Sequence, residues 1–129
     1  RDRGEVLEEY EPELQDVVNI SSNIWDVLHD GMRRVIQTHS QFDGLGIEVA
    51  GKTGTAELDL RHPNHGLFVG YAPASDPEYA VAIRIANGYS SGNACLIAND
   101  TFKYMYNLAD KDSILTGVAS TDTSDTSND

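Results

Sequence analysis

Gly46-Ile47-Glu48-Val49-Ala50-Gly51-Lys52-Thr53-Gly54-Thr55-Ala56-Glu57 decides the fold, because its letters support two incompatible structures. Residues 46–53 match the phosphate-binding pattern G-x-x-x-x-G-K-[ST], which would make the chain a parallel α/β protein. A phosphate loop needs a strand before it and a helix starting at once after it, so that the helix N-terminus holds the anion. Here Ile47-Glu48-Val49-Ala50 is itself strand-like, Gly54-Thr55-Ala56-Glu57 is a poor helix start, and Glu48 would repel a phosphate. The nucleotide reading is set aside. The alternative makes Lys52-Thr53-Gly54-Thr55 a strand at a sheet edge facing a cleft. Its free N–H and C=O groups would then pair with an extended guest. Lys52 sets a positive field, the hydroxyls of Thr53 and Thr55 donate to a carboxylate, and Gly54 keeps the approach clear.

The surrounding chain favours an antiparallel sheet. Leu67-Phe68-Val69-Gly70-Tyr71-Ala72 reads as a second strand stopped by Pro73. Tyr79-Ala80-Val81-Ala82-Ile83-Arg84-Ile85-Ala86 reads as a third, with Val81, Ile83 and Ile85 on one face and Ala80, Ala82, Arg84 and Ala86 on the other. The links, Arg61–Gly66 and Asp76–Glu78, are too short for parallel crossovers, so the three strands form a meander.

Helices flank it. Ile24, Trp25, Leu28, Met32, Val35 and Ile36 recur at helical spacing, predicting a helix over 23–38. Ser21, Ser22 or Asn23 caps it, Asp26 favours its positive end, Arg33 and Arg34 favour the other, and Trp25 and Met32 are read as core residues. Gln41–Gly46 is a loop. Ala94, Ile97, Ala98, Phe102, Met105 and Leu108 predict a second helix over 93–109, covering one sheet face. The fold class is therefore α+β: helix, three-stranded antiparallel meander, C-terminal helix. Residues 1–22 read as an extended connector with short strand-like pieces at 5–10 and 17–20. Residues 23–110 form the folded portion, and 111–129, ending in a Ser/Thr/Asp run, read as a disordered tail.

Composition bounds the partners. The chain has 129 residues, 9 basic against 21 acidic, for a formal charge of -12. Nucleic acid and anionic membranes select for basic patches and are excluded as partners. A single Cys95 rules out an internal disulfide and a cysteine zinc cluster, and is read as a buried thiol. No run approaches the roughly 20 apolar residues of a membrane-spanning helix. The chain opens Arg-Asp-Arg-Gly-Glu with no signal peptide and no initiating methionine, and is expected to be a piece of something longer.

Three stretches in order carry a resemblance: Ala50-Gly51-Lys52-Thr53-Gly54-Thr55-Ala56-Glu57, Gly66-Leu67-Phe68-Val69-Gly70-Tyr71-Ala72-Pro73 and Pro77-Glu78-Tyr79-Ala80-Val81-Ala82-Ile83. Together they resemble the end of the transpeptidase domain of class B penicillin-binding proteins, most of all the elongation-type enzymes, over about Gly4 to Leu108. The resemblance implies part of a three-layer αβα architecture and a serine acyl-transfer reaction on peptidoglycan, with no cofactor. Lys52 would shape the field of the cleft and bond a serine of the family's second motif. Thr53 and Thr55, with Gly54 between them, would bind the terminal carboxylate of a D-Ala-D-Ala stem peptide or a β-lactam. The Thr55 amide would form half of the oxyanion hole. The implied location is the extracytoplasmic face of the bacterial cell membrane.

The departures are equally informative. No serine is followed three residues on by lysine, so the nucleophile motif S-x-x-K is absent. Ser21-Ser22-Asn23 lies too near Lys52 for the second motif S-x-N and reads as a helix cap; Ser91-Gly92-Asn93 falls on the wrong side. The chain thus reads as one wall of an active site, inactive alone, whose open edge would favour self-association. His62 and His65 read as a turn rather than a metal pair, and His29 and His39 as solvated helix positions. Two other readings stay open: a non-enzymatic binding module on the same fold, and a carboxypeptidase or β-lactamase relative.

Overall fold

The computed structural model describes residues 8–114. Its elements are α1 (Ser22–Gln37), a 3-10 turn (Ser40–Phe42), β1 (Ala50–Ala56), β2 (His65–Ala72), β3 (Tyr79–Ile85), α2 (Ser91–Met105) and α3 (Lys111–Ile114). The strands pair antiparallel in the order β1-β2-β3. The expected helix, meander and helix are all present.

Alternation decides what each sheet face does. Phe68 and Ala72 are fully buried in β2, and Val81, Ile83 and Ile85 of β3 pack against the same core, while Ala80, Ala82 and Arg84 are exposed. α2 covers this face with Ala94, Cys95, Ala98 and Phe102, all at 0% exposure. Small residues at helical spacing let its backbone lie close to the strands, and Cys95 is buried as expected. Ser90 caps α2, its hydroxyl accepting from the Gly92 N–H at 3.1 Å. The other end is pinned by Tyr106, whose hydroxyl donates to the Ala72 carbonyl at 2.6 Å. Burial, and then the nearby Glu78 and Tyr79, hold the Tyr106 phenol above its ordinary pKa.

The Phe68 ring dictates two glycines. A Cβ on Gly70 would lie 2.6 Å from the ring and one on Gly51 would lie 2.8 Å from it. These two residues face each other across β1 and β2, so the ring is roofed by bare backbone.

α1 approaches the opposite face at the Ala50–Tyr71 end. The His29 ring stands edge-on to Tyr71 at 5.8 Å, and Met32 borders a shallow apolar hollow with Val69, Tyr71, Ala80 and Ala82. Arg33 donates to the Ala74 carbonyl at 3.0 Å and lies 3.8 Å from Glu48. The core reading of Trp25 is corrected: it is 37% exposed, with Ile24 and Leu28 more so, and Met32 is half-buried. Ile36 is the one buried α1 residue. The stripe is real, but little of this chain covers its N-terminal half. His29 and His39 are also corrected, since both are half-buried, His29 between Trp25 and Tyr71.

Smaller differences have local causes. α1 starts one residue early on a Ser21 N-cap whose side chain makes no cap bond, and Asp26 falls beyond its first turn. Residues 8–20 form no strand, and the rest of the 5–10 piece lies outside the described residues. α2 runs from Ser91 to Met105 rather than over 93–109, because Asn107 turns the chain at φ 53°. Lys111–Ile114 is helical where a tail was expected; residues beyond 114 lie outside the described residues.

Among the described residues, the outer edges of β1 and β3 have no strand partner. Unpaired edges template intermolecular pairing. The isolated chain is therefore expected to self-associate as concentration rises, with a light-scattering mass above that of one chain. A monomer mass held at high concentration contradicts this.

Candidate active site

β1 begins at Ala50, three residues later than the alternation of 47–50 implied: β2 ends at Ala72, and Pro73 after it offers no N–H to continue the ladder. From there Lys52-Thr53-Gly54-Thr55 is regular edge strand, opposite Val69, Phe68, Leu67 and Gly66 of β2. The four residues split between the sheet faces. Lys52 and Gly54 lie on the Val69 face, Thr53 and Thr55 on the Phe68 face.

Their environments differ accordingly. Lys52 is exposed, and its ammonium donates to the Thr53 carbonyl at 2.6 Å. Thr53 is 7% exposed, and Thr55 is half-buried. At Gly54 a Cβ would meet only the Leu67 side chain, at 3.4 Å, an ordinary contact. Packing therefore demands glycine at 51 but not at 54. Glycine at 54 leaves the Val69 face of the edge open.

Backbone direction follows from two contacts. The Glu48 carbonyl accepts from the Ala74 N–H at 2.8 Å, on the β2 side. Successive residues of an extended chain point their N–H and C=O groups to alternate sides, so residues 50, 52 and 54 face β2. Gly51, Thr53 and Thr55 then point away from β2, which is where the Lys52 ammonium reaches the Thr53 carbonyl. The edge thus offers backbone donors and acceptors beside one exposed cation.

Two connections frame the strand's end. In the 57–64 link, the Asp59 carboxylate accepts from the N–H groups of Arg61 at 2.7 Å and His62 at 3.1 Å, and pairs with the His62 ring at 2.9 Å. The Arg61 amide and then the His62 ring hold the Asp59 pKa below its ordinary value. His65 takes a different path: it is buried at the start of β2, and its Nδ1 accepts from the Asn87 N–H at 2.9 Å. The two histidines go to separate partners, and no group of three or more metal-binding side chains occurs among the described residues. Asn64 is also buried, and its carbonyl accepts from the Tyr89 N–H at 2.9 Å.

Sequence reading took His65 for a turn residue, whereas it opens β2, and gave Asn64, Asn87 and Tyr89 only loop positions. The Asn87-Gly88 pair was the available signal, since such pairs favour positive φ. Both S-x-N triplets open helices. Ser21-Ser22-Asn23 starts α1, while Ser91-Gly92-Asn93 opens α2, with Asn93 donating to the Gly88 carbonyl at 2.9 Å.

A profile of the family described as penicillin binding protein transpeptidase domain matches residues 4–106. The chain belongs to this family. Its relatives are of the PBP2 type. They include the peptidoglycan D,D-transpeptidase MrdA of Acinetobacter baumannii, 36% identical over 104 residues, covering 70% of this chain and 15% of that protein. Penicillin-binding protein 2B of Streptococcus pneumoniae is 31% identical over 117 residues, 78% of this chain and 17% of that protein. Among solved structures, Pseudomonas aeruginosa PBP2 in complex with WCK 5153 superposes with a TM-score of 0.61 at 30% identity, over 80% of this chain and 24% of that one. The imipenem acyl-enzyme of penicillin-binding protein A from Mycobacterium tuberculosis gives 0.58 at 27%, over 70% and 20%. The chain therefore spans a minor part of the length of each. Among the described residues no helix is long and apolar enough to cross a membrane.

Proposed function

We propose that this chain supplies the Lys-Thr-Gly wall of a serine D,D-transpeptidase that cross-links peptidoglycan outside the bacterial cell membrane. The observation that carries the reading is the outer β1 edge, which no other strand covers among the described residues, with exposed Lys52 beside Thr53 and Thr55, in a chain of this family. Thr53 and Thr55 share a face, so their hydroxyls can meet one carboxylate at the strand's rim. Lys52 supplies the field that draws that carboxylate in and orders the partner serine of the second motif. For either to happen its ammonium must leave the Thr53 carbonyl, which frees the edge for an extended peptide.

The Thr55 N–H then donates to the oxygen that becomes negative in the tetrahedral intermediate, an interaction stronger in the transition state than in the ground state. The chemistry is acyl transfer. The serine oxygen of S-x-x-K, supplied by the longer protein, attacks the penultimate D-alanine carbonyl and the terminal D-alanine leaves as its amine. An amine of a neighbouring stem peptide then attacks the ester and restores the serine hydroxyl. A β-lactam enters by the same carboxylate contact. The exposed apolar half of α1 is read as the surface against the remainder of the transpeptidase domain.

The test is product analysis with the longer protein containing this chain. A D-Ala-D-Ala stem peptide plus an acceptor amine should yield free D-alanine and a cross-linked dimer, both blocked by penicillin. The 129-residue chain alone should yield neither. D-Alanine release without any cross-link supports a carboxypeptidase instead. No release at all supports a binding module.

A further inference from the structure

We propose that His65 is a positioning residue for Thr55: it clasps the turn at Asn87–Tyr89 onto the start of β2 and so fixes the end of β1. This rests on the reading of the Thr55 amide as an oxyanion donor.

The rung at issue is the last of the sheet. Thr55 lies opposite Gly66 and Ala56 opposite His65, and beyond them the chain leaves for the 57–64 link, where Leu58 and Leu60 are exposed. β1 has β2 on one side only, so the direction of the Thr55 N–H depends on how firmly residues 64–66 are held. Gly66 pairs with Ile85 of β3, and three further contacts hold the segment to the turn. The His65 Nδ1 accepts from the Asn87 N–H at 2.9 Å, the Asn64 carbonyl accepts from the Tyr89 N–H at 2.9 Å, and Gly66 lies flush against Ser90. A Cβ on Gly66 would sit 2.4 Å from the Ser90 carbonyl oxygen, so the approach admits no side chain.

The turn is strained at one residue. Asn87 at φ 54° and Tyr89 at φ 64° both occupy the left-handed region, which asparagine tolerates and a bulky tyrosine disfavours. Such conformations persist only where surrounding contacts over-determine them. His65 is the side chain that ties this turn to β2; from the α2 side the Asn93 amide donates to the Gly88 carbonyl at 2.9 Å. Because Nδ1 accepts, the ring carries its proton on Nε2, a fixed tautomer set by its partner. A buried imidazole held this way is more than packing needs, since an apolar residue would fill the space without directing the turn.

The test separates acceptor chemistry from bulk. In the longer protein, Asn at 65 places its amide oxygen near the Nδ1 position, whereas Gln carries its oxygen out toward Nε2. Stopped-flow reaction with a fluorescent penicillin gives the acylation rate constant and the Kd of the complex before the bond forms. His65→Ala is expected to lower the rate constant about 10- to 100-fold, the scale set by small misplacements of catalytic groups, with Kd changed less than about 3-fold. His65→Asn should return to within about 3-fold of wild type, and His65→Gln should not. Thermal melting confirms that each variant is folded, and if the alanine variant is not, the Asn and Gln pair decides alone. Equal rates for Asn and Gln, or a wild-type rate for the alanine variant, overturn the proposal. A wild-type protein that takes no label overturns the transpeptidase reading and this inference with it.

Discussion

Lys52→Ala, placed in the longer protein that carries the S-x-x-K serine, is expected to slow acylation by penicillin by about 100-fold or more, the scale of losing one preorganised electrostatic group. The side chain is exposed and its one bond is to the next residue's carbonyl, so the fold hardly depends on it. Stability should change by less than about 0.5 kcal/mol, as for surface positions generally. The loss would thus fall on the chemistry and not on folding. Arginine should not rescue it, because a planar guanidinium cannot replace a compact ammonium between a carbonyl, a serine and a carboxylate. Stopped-flow labelling together with a melting curve checks both halves. A near-normal rate contradicts the role given to Lys52.

Phe68→Ala should cost about 3–5 kcal/mol of stability, the range for deleting a buried aromatic side chain. The ring is fully buried, 5.5 Å from the Phe42 ring, and lies under Gly51 and Gly70. A cavity left there cannot be refilled by its roof, because the roof is backbone without side chains. Against a total of about 5–15 kcal/mol for a domain, this is from about a fifth to nearly all of the stability. Denaturant titration followed by circular dichroism measures it. A loss below about 1 kcal/mol contradicts the packing described here.

The parts of the fold legible in the sequence were those set by local pattern. Val81, Ile83 and Ile85 alternate with Ala80, Ala82 and Arg84, and that alternation alone assigns their faces. Short links force neighbouring strands to run antiparallel, and α2 announces itself through Ala94, Ala98 and Phe102. What the pattern could not tell was where a partner stands. Ile24, Trp25 and Leu28 say that α1 has an apolar face, but spacing carries no information on whether this chain covers it, and it leaves much of that face exposed.

The candidate site divides in the same way. Lys52-Thr53-Gly54-Thr55 was legible as edge strand because glycine and threonine there fit neither a helix start nor a buried core. Strand alternation alone puts Lys52 and Thr53 on opposite faces, but that Thr53 takes the Phe68 face and Lys52 the Val69 face only the paired strands reveal. His65 stayed hidden because its partner, the Asn87 amide, is 22 residues away and has no side-chain signature. Beside Pro63 and Asn64, the imidazole looked like one more turn residue.

The central claim is that this chain forms one wall of a serine acyl-transfer site and leaves the nucleophile to the rest of the protein. Intact-mass spectrometry after incubation with benzylpenicillin, followed by peptide mapping, tests it most directly. The longer protein should gain one antibiotic mass on a serine in an S-x-x-K sequence outside residues 1–129, and the 129-residue chain alone should gain none. An adduct on any residue of this chain, or no adduct on the longer protein, contradicts the claim.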